Sequence, residues 1–514
     1  MKNFTPKLSI ILIVFSLPIF AQDLTVAANG ELYVSPTAFV HVSSNVTIAA
    51  NGDLILDSKS NDFSDFYVAG TSTGNAEYRH FTASTATRDL VSPPVSGQAF
   101  SAFATANNGK IPAGTITPAN LLYGPLDNAN ATYVEYAAGD GTALAAATGY
   151  RAGSVGGQTL AYTGLISTAD VQTTISYGAG QFRQSNLVGN PFTTHIHAGT
   201  LVTALGNSSA INQTYAAIYG YDGAATTKAA TWKVINSLSS AELITPGQGF
   251  IIISDADGGS FTFPQSARRV SATPQDNFIS GRQVTSTPSS FKLKLAHSAN
   301  VYDDTSLYFI DRNGTRGLDV TYDAGSLGSS IGTHLVENSQ GLNLAIQVLS
   351  TADLTATDYV IPIEVTLPAG QQATISIEDL NAPAGTKFYL DDRELNTQTL
   401  LTSESYTFTT PSPLSGIGRF YLGTSSSTLS TPSTALNSVE VFSIASSKQL
   451  AVHGQLYNDS VLSLYDIRGR HIDTYQLDAS QTKHVLDVSH ISSGVYLVKL
   501  NNNSQSRTTK LVIN

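Results

Sequence analysis

The sequence of 514 residues contains no cysteine, one methionine and one tryptophan. The absence of cysteine excludes disulfides, thiolate metal ligands, a cysteine nucleophile and the lipidated cysteine of a bacterial lipoprotein. Charged residues make up only 13% of the chain, and the formal net charge is -11. Because affinity for nucleic acid comes largely from Lys and Arg contacts to phosphate, we expect no nucleic-acid partner.

Long hydrophobic runs are also scarce, and the one at the N-terminus is short. Two lysines precede an apolar run from Leu8 to Phe20, and Ala21 provides a small residue for cleavage. This pattern predicts a secretory signal peptide over residues 1–21. The run is too short for a membrane-spanning helix, which needs about 20 apolar residues. We therefore expect a mature protein that is water-soluble and reaches the periplasm.

The abundant residue types favour strands and turns, since the chain has 41 Gly, 23 Tyr and 21 Phe. We predict an all-β protein of tandem antiparallel β-sandwich domains, with a short N-terminal β-repeat region and a small C-terminal β-sandwich. The predicted segments are a signal peptide at 1–21, a β-repeat region at 22–75, a β-rich domain at 76–284, a β-sandwich at 285–423, a linker at 424–438 and a C-terminal domain at 439–514.

An internal repeat opens the mature chain. LTVAANGELYV at 24–34 returns as VTIAANGDLIL at 46–56, 22 residues later. The Asn-Gly pair in each copy accepts the positive φ of a type I′ turn, which predicts two β-hairpins. The period equally fits one rung of a β-solenoid, although solenoids need about three rungs and no third copy follows Asp57. Both interpretations stay open at this point.

Short strands separated by Gly, Asn and Pro follow as far as Val284. VSPPVSG, NLVGNPF and TPGQGFIII are typical of this stretch, and their spacing indicates a sandwich. Near-helical apolar spacing predicts two short helices, at 98–106 and 198–205. Alternation is cleaner between Phe291 and Leu422, where segments such as FKLKLAH and YVIPIEVTL predict an antiparallel sandwich. Ser, Thr and Pro dominate 424–438, which predicts the linker.

Three motifs occur in order near the C-terminus: LSLYDIRGRHI from Leu462, then LDVSHISSGVYLVKL, then TTKLVIN at the end. On these motifs residues 439–514 resemble a type IX secretion system type A sorting domain. The resemblance implies a small β-sandwich, recognised by the secretion machinery, that carries folded cargo across the outer membrane of a Bacteroidota cell. It also implies cleavage of the tail and tethering of cargo to surface lipopolysaccharide. The residues that match the sorting motifs are Asp466, Gly469, Gly494, Tyr496 and Lys510.

The body carries a weaker resemblance. NLVGNPF and PGQGFII, in this order, resemble elements of β-rich modules in secreted Bacteroidota proteins that end in the same sorting domain. This resemblance implies location and a β fold, and it brings no activity with it.

Motifs for catalysis are incomplete. GTSTG at 70–74 matches a nucleophile elbow around Ser72, but the residues after it predict a strand where the elbow needs a helix. His195 and His197 would project from one face of a strand, as two ligands of a metal site can, and no third ligand lies near them in sequence. We assign no catalytic residue and retain the two histidines as candidate binding residues.

Calcium is the one cofactor that the sequence suggests. Asp255 and Asp257 in SDADGGS offer closely spaced hard oxygen ligands before two glycines. The EF-hand pattern is not completed after them. The alternative interpretation is an ordinary hairpin turn.

Aromatic residues supply the remaining candidates. Tyr219 and Tyr221 would share one strand face, and with Trp232 they could stack on sugar rings. The same rings could instead fill the core of a sandwich.

Together these observations predict a secreted or cell-surface β protein without catalytic activity, with an adhesion or envelope-structural role. The alternative is a glycan-binding or glycan-degrading secreted protein, which the secretion route and the aromatic segment favour. A hydrolase that uses Ser72 or the His195/His197 pair is a third hypothesis.

Overall fold

The computed structural model describes residues 19–60, 62–84, 88–130, 132–178, 184–222, 232–239, 241–270, 288–298, 301–311, 313–336, 342–356, 359–424, 439–444, 448–454, 456, 460–479, 481, 483–501 and 506–513. The chain divides into two compact units. The first unit comprises Met1–Thr226 with Ala230–Thr285, and the second comprises Thr227–Ala229 with Ser286–Asn514. Strands dominate both units, which confirms the all-β class. Of the predicted signal peptide, only Ile19–Ala21 falls within the described residues.

The N-terminal strands form three rungs of a parallel β-solenoid. The strands of this region are β1 (Ile19–Ala21), β2 (Leu24–Val26), β3 (Glu31–Val34), β4 (Phe39–Val42), β5 (Val46–Ile48), β6 (Asp53–Leu56), β7 (Ser58–Lys59), β8 (Asp62–Phe63), β9 (Asp65–Val68), β10 (Ser72–Thr73) and β11 (Ala76–Thr82), of which β7 and β8 lie outside the rungs. Each rung gives one strand to each of three sheets, β1-β4-β9, β2-β5-β10 and β3-β6-β11. Leu24 pairs with Val46 in parallel, at the 22-residue offset of the repeat. This parallel register excludes the two-hairpin interpretation.

The third rung is present although its sequence does not repeat the first two. Val46 pairs in parallel with Ser72, 26 residues further on, because the small β7–β8 hairpin is inserted before β9. Asn29 and Asn51 do have the positive φ expected of them, 59° and 63°. They turn the chain between two sheets of the solenoid, and the Asn29 N–H donates to the Asn51 carbonyl one rung away at 2.9 Å.

The rest of the first unit continues from the solenoid. Its strands are β12 (Asp89–Val91), β13 (Tyr123–Gly124), β14 (Leu126–Asp127), β15 (Thr132–Tyr133), β16 (Tyr150–Ala152), β17 (Gln158–Gly164), β18 (Val171–Ile175), β19 (Ser185–Gly189), β20 (Ile196–His197), β21 (Ile218–Tyr221), β22 (Trp232–Ile235), β23 (Leu243–Ile244), β24 (Gly249–Ile253) and β25 (Gly259–Phe263). Helices α1 (Phe100–Ala106) and α2 (Ala198–Gly206) confirm both helix predictions.

Two hydrophobic clusters hold the first unit together. One runs from Val26 to Ile166, because β17 pairs antiparallel with β11 and extends the last solenoid sheet. The boundary predicted at 75/76 therefore falls inside a continuous core. The other cluster surrounds α2 and the sheet β19-β24-β21-β22.

The second unit begins with one large sheet. Its strands are β26 (Ser289–Ser298), β27 (Val301–Ile310), β28 (Ala324–Gly325), β29 (Ile331–Thr333), β30 (Leu344–Ser350), β31 (Ile361–Val365), β32 (Gln372–Asn381), β33 (Tyr389–Asp392), β34 (Thr397–Leu400), β35 (Tyr406–Thr409) and β36 (Phe420–Gly423). The order is β34-β33-β36-β31-β29-β30-β27-β26-β32-β35, with β28 also on β30. Pairing is antiparallel except between β27 and β30. Phe408 near one end contacts Phe420 near the other, with centroids 4.9 Å apart, so the sheet folds over its own core.

The C-terminal strands form a separate small sandwich. They are β37 (Glu440–Ile444), β38 (Gln449–His453), β39 (Ser460–Asp466), β40 (His471–Leu477), β41 (Lys483–Asp487), β42 (Gly494–Asn501) and β43 (Ser506–Ile513). The two sheets, β37-β38-β41 and β40-β39-β42-β43, enclose a cluster that includes Leu462 and Tyr496. Across the described parts of the chain, no helix is long and apolar enough to cross a membrane.

Candidate functional site

Three segments that the sequence singled out meet in the first unit. The Ser92 N–H donates to the Gly247 carbonyl at 2.8 Å, and the Gly247 N–H donates to the Asn190 carbonyl at 3.2 Å. The Asn190 side chain is fully buried and donates to the carbonyls of Thr194, Ile244 and Thr245. VSPPVSG, NLVGNPF and TPGQGFIII thus form one hydrogen-bonded junction. Their polar residues are used to satisfy buried backbone groups.

His80 lies against this junction. A Cβ at Gly247 would come within 2.7 Å of His80 Cδ2, and Gly247 has φ +73°, so only glycine fits there. His80 is 3% exposed, and neither ring nitrogen has a hydrogen-bond partner among the residues that the structure describes. Burial lowers the pKa of His80 to about 4, which keeps the ring neutral at pH 7. Sequence reasoning did not select this residue.

His195 belongs to a buried ion cluster. Its ring atom Nδ1 lies 2.8 Å from Asp65 Oδ2, and its backbone N–H donates to Asp65 Oδ1 at 2.6 Å. Arg269 Nη1 donates to Asp65 Oδ2 at 2.8 Å. Burial alone would raise the pKa of Asp65, but His195 and Arg269 outweigh it and the pKa is lowered. His195 precedes β20 and is 4% exposed, which corrects the prediction of a strand-borne ligand pair. His197 is half-buried in β20, and burial lowers its pKa.

Ser72 lies in strand β10 of the solenoid and pairs with Val46. The chain continues through Gly74 into strand β11, so the strand, turn and helix of a nucleophile elbow are not formed. Gly74 has φ +82°, and a Cβ there would lie 2.1 Å from the Ile48 carbonyl oxygen. The second glycine of GTSTG is therefore explained by a tight solenoid corner, and the elbow hypothesis for Ser72 is wrong.

Asp255 and Asp257 occupy the exposed turn between β24 and β25. The Gly258 N–H donates to the Asp255 carbonyl at 3.0 Å, which closes the turn. Within the described ranges, no group of three or more His, Cys, Asp or Glu side chains is placed to hold a metal ion. Calcium binding at this pair stays a prediction, and the turn has the hairpin geometry of the alternative interpretation.

The three aromatic candidates have different environments. Tyr219 is 1% exposed and pairs with Ile251 of the central strand β24, so it belongs to the core and cannot stack on a ligand. This corrects its inclusion among the binding residues. Tyr221 and Trp232 pair across the β21–β22 hairpin and are half-buried. Their ring centroids are 5.4 Å apart with an interplanar angle of 63°.

A contact between a guanidinium and an aromatic ring lies on two other strands of the first unit. The Arg151 guanidinium of β16 stacks 4.5 Å from the Tyr133 ring of β15. Burial raises the pKa of Tyr133, Arg151 opposes that rise, and the neighbouring Tyr221 adds to it. Burial and then the Arg88 charge lower the pKa of Arg151. We call Arg88, Tyr133, Arg151, Tyr221 and Trp232 the aromatic–guanidinium patch.

The charged groups around this patch differ in the hydrogen-bond and ion-pair partners that they have. Glu135 pairs with Arg151 at 2.9 Å and also accepts the backbone N–H groups of Thr115, Ile116 and Thr117. In contrast, the buried Nε of Arg88 has no hydrogen-bond partner in the described part of the chain. Burial raises the pKa of Asp89 to about 7, and nearby Asp222 adds to the rise. The patch thus combines half-buried rings with a guanidinium whose Nε has no hydrogen-bond partner among the described residues.

In the C-terminal sandwich, the predicted motif residues have structural roles. Asp466 Oδ1 accepts the N–H groups of Arg468 and Arg470 at 2.9 and 3.0 Å, and Gly469 completes the turn with φ +82°. The Tyr496 hydroxyl donates to the Ser492 carbonyl at 2.7 Å. Gly494 begins β42 and pairs with Ile513, while Lys510 is exposed on β43.

Comparison with protein families accounts for most of the chain. Residues 440–514 match the model described as a secretion system C-terminal sorting domain. Residues 7–422 match the model of a domain of unknown function, DUF8693. The chain belongs to the DUF8693 family. The DUF8693 region ends at the last strand of the large sheet, β36, and the sorting domain begins with β37. The type IX sorting identity implied by the three C-terminal motifs is therefore confirmed.

Solved structures similar to this DUF8693 protein are distant. A structure of a biofilm associated protein, BSP domain, is 12% identical with a TM-score of 0.15, and the match covers 29% of each chain. A crystal structure of chicken CNTN1 FN1–FN3 domains is 10% identical with a TM-score of 0.13, covering 44% of this chain and 96% of that one. This chain thus spans under a third of the BSP-domain structure. No curated protein matches the sequence.

Proposed function

We propose that this DUF8693 protein is a non-catalytic β protein at the outer cell surface or in the surrounding medium, with an adhesion or envelope-structural role. The observation that carries the proposal is the sorting domain at 440–514, which directs export through the type IX secretion system. A second observation bears on the non-catalytic part of the proposal. Charged side chains buried in the body, such as Asp65 with Arg269 and Asp392 with Arg419, form ion pairs with one another and so have structural partners.

Deletion of residues 439–514 tests the export step. The two sheets of the sorting domain enclose their own hydrophobic cluster, so the truncated body should fold and remain in the periplasm. Immunoblots of periplasmic, surface and medium fractions measure the outcome, with Asp255→Ala in the full chain as the control. Surface display of the truncated protein would contradict the proposal.

Attachment of cells to surfaces, compared between the wild type and a strain lacking the protein, then tests the adhesive role.

Glycan binding is a second candidate, supported by the half-buried pair Tyr221 and Trp232. Aromatic rings of this kind combine an apolar face with a polar edge, which suits a sugar ring and its hydroxyls. We expect Trp232→Ala to lose retention in polysaccharide affinity gels while circular dichroism stays unchanged. Tyr302→Ala is the control, since Tyr302 is another strand-borne aromatic residue, stacks on Lys294 at 3.9 Å and lies in the second unit. Equal retention of both variants would remove the support for this candidate.

A further inference from the structure

We propose that Asn108 is a site of covalent modification, at which the side-chain amide is lost and an aspartate or an isoaspartate is formed. The chain has four Asn–Gly pairs, at 29–30, 51–52, 108–109 and 313–314. Asparagine before glycine favours this chemistry, because no Cβ shields the glycine nitrogen. The fold restrains three of the pairs and leaves the pair at 108–109 free to react.

The reaction needs only the chain and water. The Gly109 backbone nitrogen gives its proton to a base in the solvent and attacks Cγ of the Asn108 side chain. A bond forms between these two atoms, the bond from Cγ to the side-chain nitrogen breaks, and that nitrogen takes up a proton and leaves as ammonia. Water then opens the succinimide ring at either carbonyl. The step requires a glycine N–H that is not held in a hydrogen bond and an asparagine side chain that can turn towards it.

The turn after α1 meets both requirements. Asn108 and Gly109 are exposed, and Gly109 has φ +75° with no described atom within 4 Å of a Cβ placed there. Among the residues that the structure describes, neither the Asn108 side chain nor the Gly109 N–H has a hydrogen-bond partner. The flanking residues are anchored to β17, since the buried Asn107 side chain bonds to Ala161 and Lys110 Nζ donates to another carbonyl of that strand at 3.1 Å. The free pair therefore lies between two fixed residues.

The two pairs in the solenoid lie at corners whose glycine N–H groups are hydrogen-bonded. Gly30 donates to the Ala27 carbonyl and Gly52 donates to the Ala49 carbonyl, each at 2.9 Å. A Cβ at Gly52 would also lie 2.9 Å from the Ala27 carbonyl oxygen of the neighbouring rung. In both pairs a backbone hydrogen bond must open before the nitrogen can attack, so we expect slow modification there.

The pair at 313–314 is restrained in a different way. The Asn313 side-chain nitrogen donates to the Tyr322 hydroxyl at 2.9 Å, which holds the amide in place. Gly314 lies against β30, because a Cβ there would overlap the Leu349 carbonyl oxygen. Ring closure would have to break the first contact and move the glycine away from the second.

Peptide mapping of the exported protein by mass spectrometry tests the inference. Folded protein is incubated in mildly alkaline buffer, which favours deprotonation of the attacking nitrogen, and the loss of amide is followed at all four asparagines. We expect the rate at position 108 to exceed the rates at 29, 51 and 313 by about tenfold or more, because those positions react only after local opening. In denaturing urea the four rates should become similar, since every pair then has an accessible glycine.

Gly109→Ala is the selective variant. Its Cβ would shield the attacking nitrogen, so we expect a several-fold lower rate at position 108 and unchanged rates at the other three. Asn108→Gln is the second variant, because it keeps the amide but adds a methylene, which slows ring closure. The fluorescence of Trp232 confirms that each variant is folded.

Three outcomes would overturn the inference. Equal rates at the four positions of the folded protein, or a faster loss at 29, 51 or 313, would show that the turn after α1 is not selected. Loss at position 108 in urea alone would show that this turn is itself protected. A ranking that stays the same in urea would show that the neighbouring sequence sets the rates and that the fold does not.

Discussion

Asp65 is the acidic partner of two basic residues in a buried ion cluster of the first unit. It pairs with both His195 and Arg269, and its side chain is only 4% exposed. Asp65→Asn keeps the shape but leaves Arg269 without a counter-charge, and breaking a buried pair in this way costs about 3–5 kcal/mol. We expect that loss in the free energy of unfolding, measured in urea by the fluorescence of Trp232, which is the single tryptophan and lies in the first unit.

The loss in the free energy of unfolding caused by Asp65→Asn should decrease as pH falls. The pKa of Asp65 is lowered in the folded state, so the pair stabilises the protein above the unfolded-state pKa and loses this effect as pH falls below it. The difference between wild type and Asp65→Asn should therefore shrink in acid. Asp255→Asn, in an exposed turn, should change stability by no more than about 0.5 kcal/mol. Equal effects at positions 65 and 255 would show that the cluster contributes nothing.

His80 is a buried base that stays neutral in the folded protein at pH 7. Its pKa falls from 6.5 to about 4 on burial, so the unfolded state takes up a proton first as pH drops. The wild type should lose up to about 3 kcal/mol of stability between pH 6.5 and pH 4 through this group. His80→Phe removes the titrating ring and the two unpaired nitrogens, and we expect the difference curve against wild type to show this loss. A curve for His80→Phe parallel to the wild type in that range would contradict the assignment.

At the scale of elements, the solenoid corner at Gly74 makes the sharpest prediction. Gly74→Ala places a Cβ within 2.1 Å of the Ile48 carbonyl oxygen at φ +82°. We expect a loss of roughly 2–5 kcal/mol, from the left-handed conformation together with the steric overlap. Gly109→Ala is the matched control, because Gly109 has φ +75° and nothing within 4 Å. It should cost only about 1–2 kcal/mol. Equal urea midpoints for the two variants would show that the Gly74 corner relaxes.

Some of the structural elements could be predicted from sequence patterns and others could not. The 22-residue period and the positive φ of Asn29 and Asn51 follow from local sequence, as do both helices. The third rung could not be recognised, because the inserted β7–β8 hairpin gives two of its three strands an offset of 26 residues and its residues have changed. Strand alternation placed Tyr219 and Tyr221 on one face. It could not reveal that Tyr219 is buried in the core whereas Tyr221 is only half-buried.

The aromatic–guanidinium patch was missed for a different reason. Its residues are spread between positions 88 and 232, so no local motif contains them. Arg151 carries no local motif, and its partners Tyr133 and Glu135 precede it in a separate loop and hairpin. By contrast, the sorting domain was identified from sequence because its motifs are consecutive strands and turns, such as the turn that Asp466 closes.

At the scale of the whole molecule, the hydrophobic clusters show where the chain can be divided. The core of the large sheet in the second unit ends at Leu422, and the core of the sorting domain begins at Val439. A cut on either side of that interval removes β36 from the large sheet or β37 from the sorting domain. A cut within the interval leaves both cores intact.

We therefore expect the protein recovered from the cell surface or medium to end between residues 424 and 438. This Ser/Thr/Pro-rich interval lacks the periodicity of a strand or helix, and segments of this kind are preferred sites of proteolysis. Intact mass measurement of the exported protein gives the C-terminus directly, and the periplasmic form from a secretion-deficient strain provides the uncleaved control. An exported protein that retains β37 to β43 would show that the tail is kept as part of the surface form. A terminus inside β36 would show that proteolysis reaches the folded body.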